Sequence, residues 1–187
     1  MCNYSPVLKA AFNSTFVEGQ TQIYKLDDTT NDTFTLFVQW IYKQTLENPT
    51  EASEISKHWA ALTRLWVLAE KILIPHLQNQ VLTNFDEYRK SIHNISTSEI
   101  PFIYENTKVG SPLRTLIVNH CAWYIKSSMF LDYPTYFPQE MLLDLLFASG
   151  TLSLLTLAIQ PGSWRICTSR RMRVALEIQK KGTSSFN

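Results

Sequence analysis

Residues 62–82 read LTRLWVLAEKILIPHLQNQVL. Leu62, Leu65, Trp66, Ala69, Ile72 and Leu73 recur at three- and four-residue spacing, while Arg64, Glu70 and Lys71 fall off that line. Such spacing stacks side chains on one face of an α-helix, so the run predicts an amphipathic helix. Pro75 ends it, because the proline ring drives residue 74 out of the α region. Proline also suits the first turn of a helix, where its missing N–H would have no partner anyway. The stretch therefore predicts a helix, a tight corner at Ile74-Pro75 and a second helix with Leu77, Val81 and Phe85 facing inward. The first of these helices is expected to pack on a helix over 33–46.

Working outward, Ser5-Pro6 is a capping residue followed by proline, and Val7, Leu8, Ala11 and Phe12 follow at helical spacing. Gly19 ends the next segment. Residues 21–26, TQIYKL, hold β-formers with partial alternation and predict a short strand, stopped by the turn-forming Asp27-Asp28. Asn31-Asp32 begin the helix over 33–46, with an apolar face of Phe34, Phe37, Val38, Ile41 and Tyr42. Residues 47–57 and 91–101 read as loops. Ser111-Pro112 repeats the cap-plus-proline signal, with Leu113, Leu116, Ile117 and His120 or Cys121 as the stripe. Pro138 opens a further helix with Met141, Leu142, Leu145 and Leu146. The pattern decays after residue 148, and 149–187 is expected to be a poorly ordered basic tail.

The chain has 187 residues, 45% apolar and 18% charged, which suits a globular domain large enough for a proper core. Its net charge of +1 hides an asymmetry: residues 1–159 sum to −4 and residues 160–187 to +5. The body thus lacks the basic footprint that nucleic-acid binding needs. Cys2, Cys121 and Cys167 are far apart and form no CxxC pair, which argues for reduced thiols rather than a disulfide framework or zinc site. MCNYSPVLKA lacks the pattern of a signal peptide, so the sequons at Asn13, Asn31 and Asn94 read as chance matches in an intracellular protein of the cytoplasm or nucleus. Residues 145–159 are uncharged and precede Arg165, Arg170, Arg171 and Arg173. Fifteen residues fall short of the roughly 20 that a span requires, so a buried helix is the expectation. Membrane association through residues 141–173 stands as the alternative.

Catalytic patterns are missing. Five scattered glycines give neither a phosphate-cradling loop nor a nucleophile elbow. His58, His76, His93 and His120 have no ligand spacing among themselves. His58 follows Glu54 by four residues, but a solvated pair is the simpler reading. Trp40, Trp59 and Trp66 sit on helical stripes and are expected in the core, not on a base-stacking platform. No cofactor or metal is expected, and the chain reads as a non-enzyme.

One combination of segments is more specific. It comprises the AFNSTFVE segment, the IYKLDD strand, the FTLFVQWIY helix and the LWVLAEKILIPHLQN helix pair; IYENTKVGSPLRTLIVNHCAW and FPQEMLLDL follow. Together they resemble the second half of a BTB/POZ domain of the filamentous-fungal type, over residues 4–147. The resemblance implies an α+β, predominantly α fold: a partial BTB/POZ domain over 1–90, then a helical extension over 91–148. It implies a protein–protein interaction module, with adaptor duty for a cullin-type ubiquitin ligase as the specific version. By the same resemblance, Phe16, Val17 and Glu18 occupy the position of the hydrophobic–x–Glu motif that contacts the cullin scaffold. The family's opening strands and first helix have no counterpart here. Self-association is therefore expected to be weakened, and a truncated, nonfunctional remnant is the remaining alternative.

Overall fold

The 62–82 stretch spans two helices and the corner between them: α4 (Ile55–Lys71) and α5 (Pro75–Ile92). The structure, a computed structural model, describes residues 4–26, 29–49, 51–93, 95–148 and 150. Leu62, Leu65, Trp66, Ala69 and Ile72 are buried as the spacing predicts, and so are Leu77, Val81 and Phe85. Trp59, Val67 and Leu68 are buried too, because α4 packs against both α3 (Asn31–Lys43) and α5. It also starts earlier than expected, after a 3₁₀ turn at Ala52–Glu54 within the stretch read as a loop.

Leu73 departs from its expected place in the stripe. The Leu73 N–H donates to the Glu70 carbonyl at 3.2 Å and the Ile74 N–H to the Ala69 carbonyl at 2.8 Å, which is a Schellman ending. That ending needs a left-handed residue, and Leu73 supplies it with φ 53°. Its side chain is thereby turned out, 54% exposed.

The inward face of α3 is also shifted from the expected one. Thr33, Leu36, Phe37 and Trp40 are buried, whereas Phe34 and Tyr42 are exposed. Helical spacing is satisfied by either of two adjacent faces. The position of α4 selects the face carrying Trp40, and the Thr33 hydroxyl donates to the Ala61 carbonyl of α4 at 3.5 Å. The C-terminal end of α3 is held by α5. Trp40 Nε1 donates to Gln80 Oε1 at 2.7 Å, Gln80 Nε2 to the Gln44 carbonyl at 2.7 Å, and Asn84 Nδ2 to the Leu46 carbonyl at 3.2 Å. Carbonyls left open where a helix ends thus find donors.

At the start of the chain, Ser5 caps α1 (Pro6–Phe12), accepting from the Leu8 N–H at 3.1 Å. The same hydroxyl donates to the Ile72 carbonyl at 2.6 Å, tying α1 to the corner between α4 and α5. The expected strand over 21–26 does not form: residue 21 ends a short helix, α2 (Val17–Thr21), and no strand occurs among the described residues. Strand propensity yields a strand only where a second strand supplies the hydrogen bonds. The fold is therefore predominantly helical, and the β part of the expected α+β class is not present in these residues. Asp27 and Asp28 lie outside the described residues.

The second half packs α6 (Ile100–Asn106) and α9 (Gln139–Ala148) against α7 (Pro112–Tyr124), with α8 (Ser128–Asp132) and a 3₁₀ turn at Pro134–Tyr136 between α7 and α9. Leu113, Ile117, His120 and Cys121 are buried and Leu116 half-buried. On α9 only Met141 is buried; Leu142 and Leu146, expected inward, are exposed. The two halves share one core within residues 1–149, joined by Arg64–Glu99 at 2.8 Å and by Arg89 lying 4.2 Å above the Tyr124 ring. No helix among the described residues is long and apolar enough to cross a membrane. The remainder of the 145–159 stretch, from residue 151, and the basic tail lie outside the described residues.

His58 is buried, and its Nε2 lies 3.0 Å from the Asn48 amide oxygen, not in a solvated pair with Glu54. Burial pushes its pKa down to about 4, against a weaker upward pull from Asn84. His120 is lowered in the same direction, first by burial and then by Arg89, although Asp86 lies 3.4 Å away and pulls it up. The unfolded chain therefore takes up protons that the folded chain refuses. The contribution of the two histidines is full above about pH 6.5 and falls as the pH drops toward 4, His58 alone accounting for up to about 3 kcal/mol. Urea midpoints at pH 7.5 and pH 5 measure this, and His58→Gln should flatten most of the difference; an unchanged slope would assign it elsewhere.

Candidate partner-binding site

Phe16, Val17 and Glu18 sit at the corner where the chain passes from α1 into α2. Phe16 is the residue before the helix, in extended conformation with φ −70° and ψ 174°. Its N–H donates to Ser14 Oγ at 3.2 Å, and the Ser14 hydroxyl donates to the Ala11 carbonyl at 2.7 Å. Phe16 is 73% exposed and Val17 68%, while Glu18 is half-buried in the first turn, where a carboxylate complements the helix dipole. Phe16 is therefore not part of the core.

The corner is held by residues that the sequence did not single out for this purpose. A β-carbon on Gly19 would come within 1.9 Å of the Ser14 carbonyl oxygen and 2.8 Å of its carbon, so only glycine allows α2 to lie against the preceding turn. Gln22 ends α2 in the left-handed region, φ 57°. Its amide donates to the Phe12 carbonyl at 3.1 Å and the Gly19 carbonyl at 2.7 Å, joining the end of α1 to the end of α2. The available signal was a glycine three residues after an aromatic, in a chain with only five glycines. It reads equally well as a helix stop, which is how the spacing alone presents it.

Other features have structural explanations. Trp40, Trp59 and Trp66 are core residues. Burial pushes the Cys121 thiol up to about 12, so at neutral pH it is a protonated thiol and a poor nucleophile. Among the described residues, no three His, Cys, Asp or Glu side chains converge as metal ligands would. A cleft of about 300 Å³ is lined by Arg89, His93, Thr97, Tyr124, Lys126 and Met129. Its cations lie at the C-terminal ends of α5 and α7, whose carbonyls carry partial negative charge. That placement complements the helix ends. What the Phe16 corner offers is different: an unfilled apolar surface beside a carboxylate, on a corner fixed by main-chain contacts. No protein-family model, curated protein or solved structure matches the chain.

Proposed function

We propose that the chain is a non-catalytic protein-interaction module of the BTB/POZ type, acting inside the cell. Phe16, Val17 and Glu18 form its partner-contacting corner, and a cullin-type scaffold is the partner. The observation that carries this reading is the exposure of Phe16 and Val17 on a corner that Gly19 and Gln22 hold in place. A large apolar side chain presented to solvent fills a partner's pocket, and a neighbouring carboxylate fixes its register. A pre-ordered corner loses little conformational freedom on binding.

The test is a quantitative pull-down with a cullin scaffold. Phe16→Ala removes the anchor and should weaken binding at least about 30-fold, a loss of about 2 kcal/mol. Glu18→Lys should weaken it as well, and more at low salt than at high salt. Because Phe16 is exposed, Phe16→Ala should shift folding stability by no more than about 0.5 kcal/mol, which separates binding from folding. Equal recovery of wild type and both variants would remove the corner from the reading.

A further inference from the structure

After Gln22 the chain runs through residues 23–26 without helix, turn or bend. Burial alternates along it: Ile23 is 62% exposed, Tyr24 half-buried, Lys25 exposed and Leu26 half-buried. A period of two marks pleated, extended chain. Tyr24 meets Phe12 edge-on at 6.3 Å, and Leu26 also packs on the core, so the segment is anchored by alternate side chains. Its main chain is not. The N–H groups of Tyr24, Lys25 and Leu26 and the carbonyls of Ile23, Tyr24 and Lys25 have no hydrogen-bond partner among the described residues. Lys25 likewise has no acidic partner among them.

A straight, anchored segment with open donors and acceptors is the template on which a strand is added. We infer that residues 23–26 accept an extended segment of a partner protein as a β-strand. Its backbone pairs with the open groups on one edge, those of Ile23 and Lys25 or those of Tyr24 and Leu26, and an acidic side chain lies across from Lys25. Cross-strand geometry sets the rest of the pattern: apolar residues on either side of the acid, where the added strand faces Tyr24 and Leu26. A second copy of this segment is a poorer occupant, since antiparallel pairing about Tyr24 places two lysines diagonally on one face with no acid between them. The inference is independent of the Phe16 corner, because it uses main-chain groups beyond α2.

The test uses the full chain and a capped Thr-Val-Glu-Val-Thr peptide, followed by NMR. Addition of peptide should slow amide exchange at Tyr24, Lys25 or Leu26. N-methylation of every second peptide residue, made in both phases, should weaken binding about tenfold in one phase, where two donors to the protein are lost. A peptide with Lys in place of Glu should bind more weakly than the parent, and Lys25→Glu should reverse that order. Unchanged exchange at saturating peptide, or equal binding of both methylated peptides and the parent, overturns the inference. Slowing that follows protein concentration without peptide identifies a second copy as the occupant and overturns it as well.

Discussion

Arg114→Met lowers the free energy of unfolding by about 3–5 kcal/mol, read from urea denaturation at neutral pH. The guanidinium is buried and bonds on three sides. Nε donates to Thr107 Oγ1 at 2.9 Å, Nη1 to Glu140 Oε2 at 2.9 Å, and Nη2 to the Tyr104 carbonyl at 2.6 Å and to the Thr107 carbonyl. It also lies 4.3 Å above the Tyr104 ring. Tyr104 and Thr107 belong to the C-terminal end of α6, where carbonyls lack partners within the helix and favour a cation. Methionine fills similar space but leaves those acceptors unpaired. Arg114→Lys should recover only a minor part, because one ammonium cannot reproduce a planar fork. Glu140→Gln tests the other end: that carboxylate is largely exposed, so its loss should cost less than about 1 kcal/mol. If Arg114→Met costs no more than Glu140→Gln, the helix-end contacts do not carry α6.

Trp40→Ala is the second large effect, about 3–5 kcal/mol, from a cavity where Tyr4 and α5 meet α3. The indole is fully buried, meets Tyr4 edge-on at 5.3 Å, lies 5.9 Å from His76 and donates to Gln80. Trp40→Phe separates the two contributions. It keeps most of the packing but strands Gln80 Oε1, a loss of about 1–3 kcal/mol. Trp66 is the control: it is as buried as Trp40, yet its Nε1 has no partner among the described residues, so Trp66→Phe should cost less than Trp40→Phe. Equal losses at the two positions would show that volume alone decides. Thermal unfolding of the four proteins suffices.

Periodicity identified α4 and α5 because their burial is wide and their corner is set by a local rule, the conformational restriction before proline. It placed the face of α3 only in part, with Phe37 buried and Val38 and Ile41 half-buried, because Phe34 and Tyr42 satisfy helical spacing as well as Leu36 and Trp40 do; the choice rests on where α4 lies. The start of α6 fell in a stretch read as a loop. At seven residues it is too short to hold itself, and its end is capped by an arginine from the next helix. The 21–26 strand failed for a related reason, since strand identity belongs to a pair and not to one segment. For the candidate site, the residues Phe16, Val17 and Glu18 were legible as a motif. Their exposure was not, because it depends on Gly19 meeting the Ser14 carbonyl, a contact that spacing does not encode.

The corner after α4 has a mechanical consequence. Leu73 is confined to the left-handed well, Ile74 is barred from the α region by the following proline, and the Pro75 ring fixes its own φ. Ile74 and Pro75 thus have few accessible dihedrals and the two terminal hydrogen bonds hold Leu73 in place, which makes a stiff joint rather than a hinge. The Ile72 carbonyl at that joint receives the Ser5 hydroxyl, so α1 is tied to it. A partner arriving at the Phe16 corner would meet a surface whose footing was set during folding, leaving little reorganisation for the encounter itself.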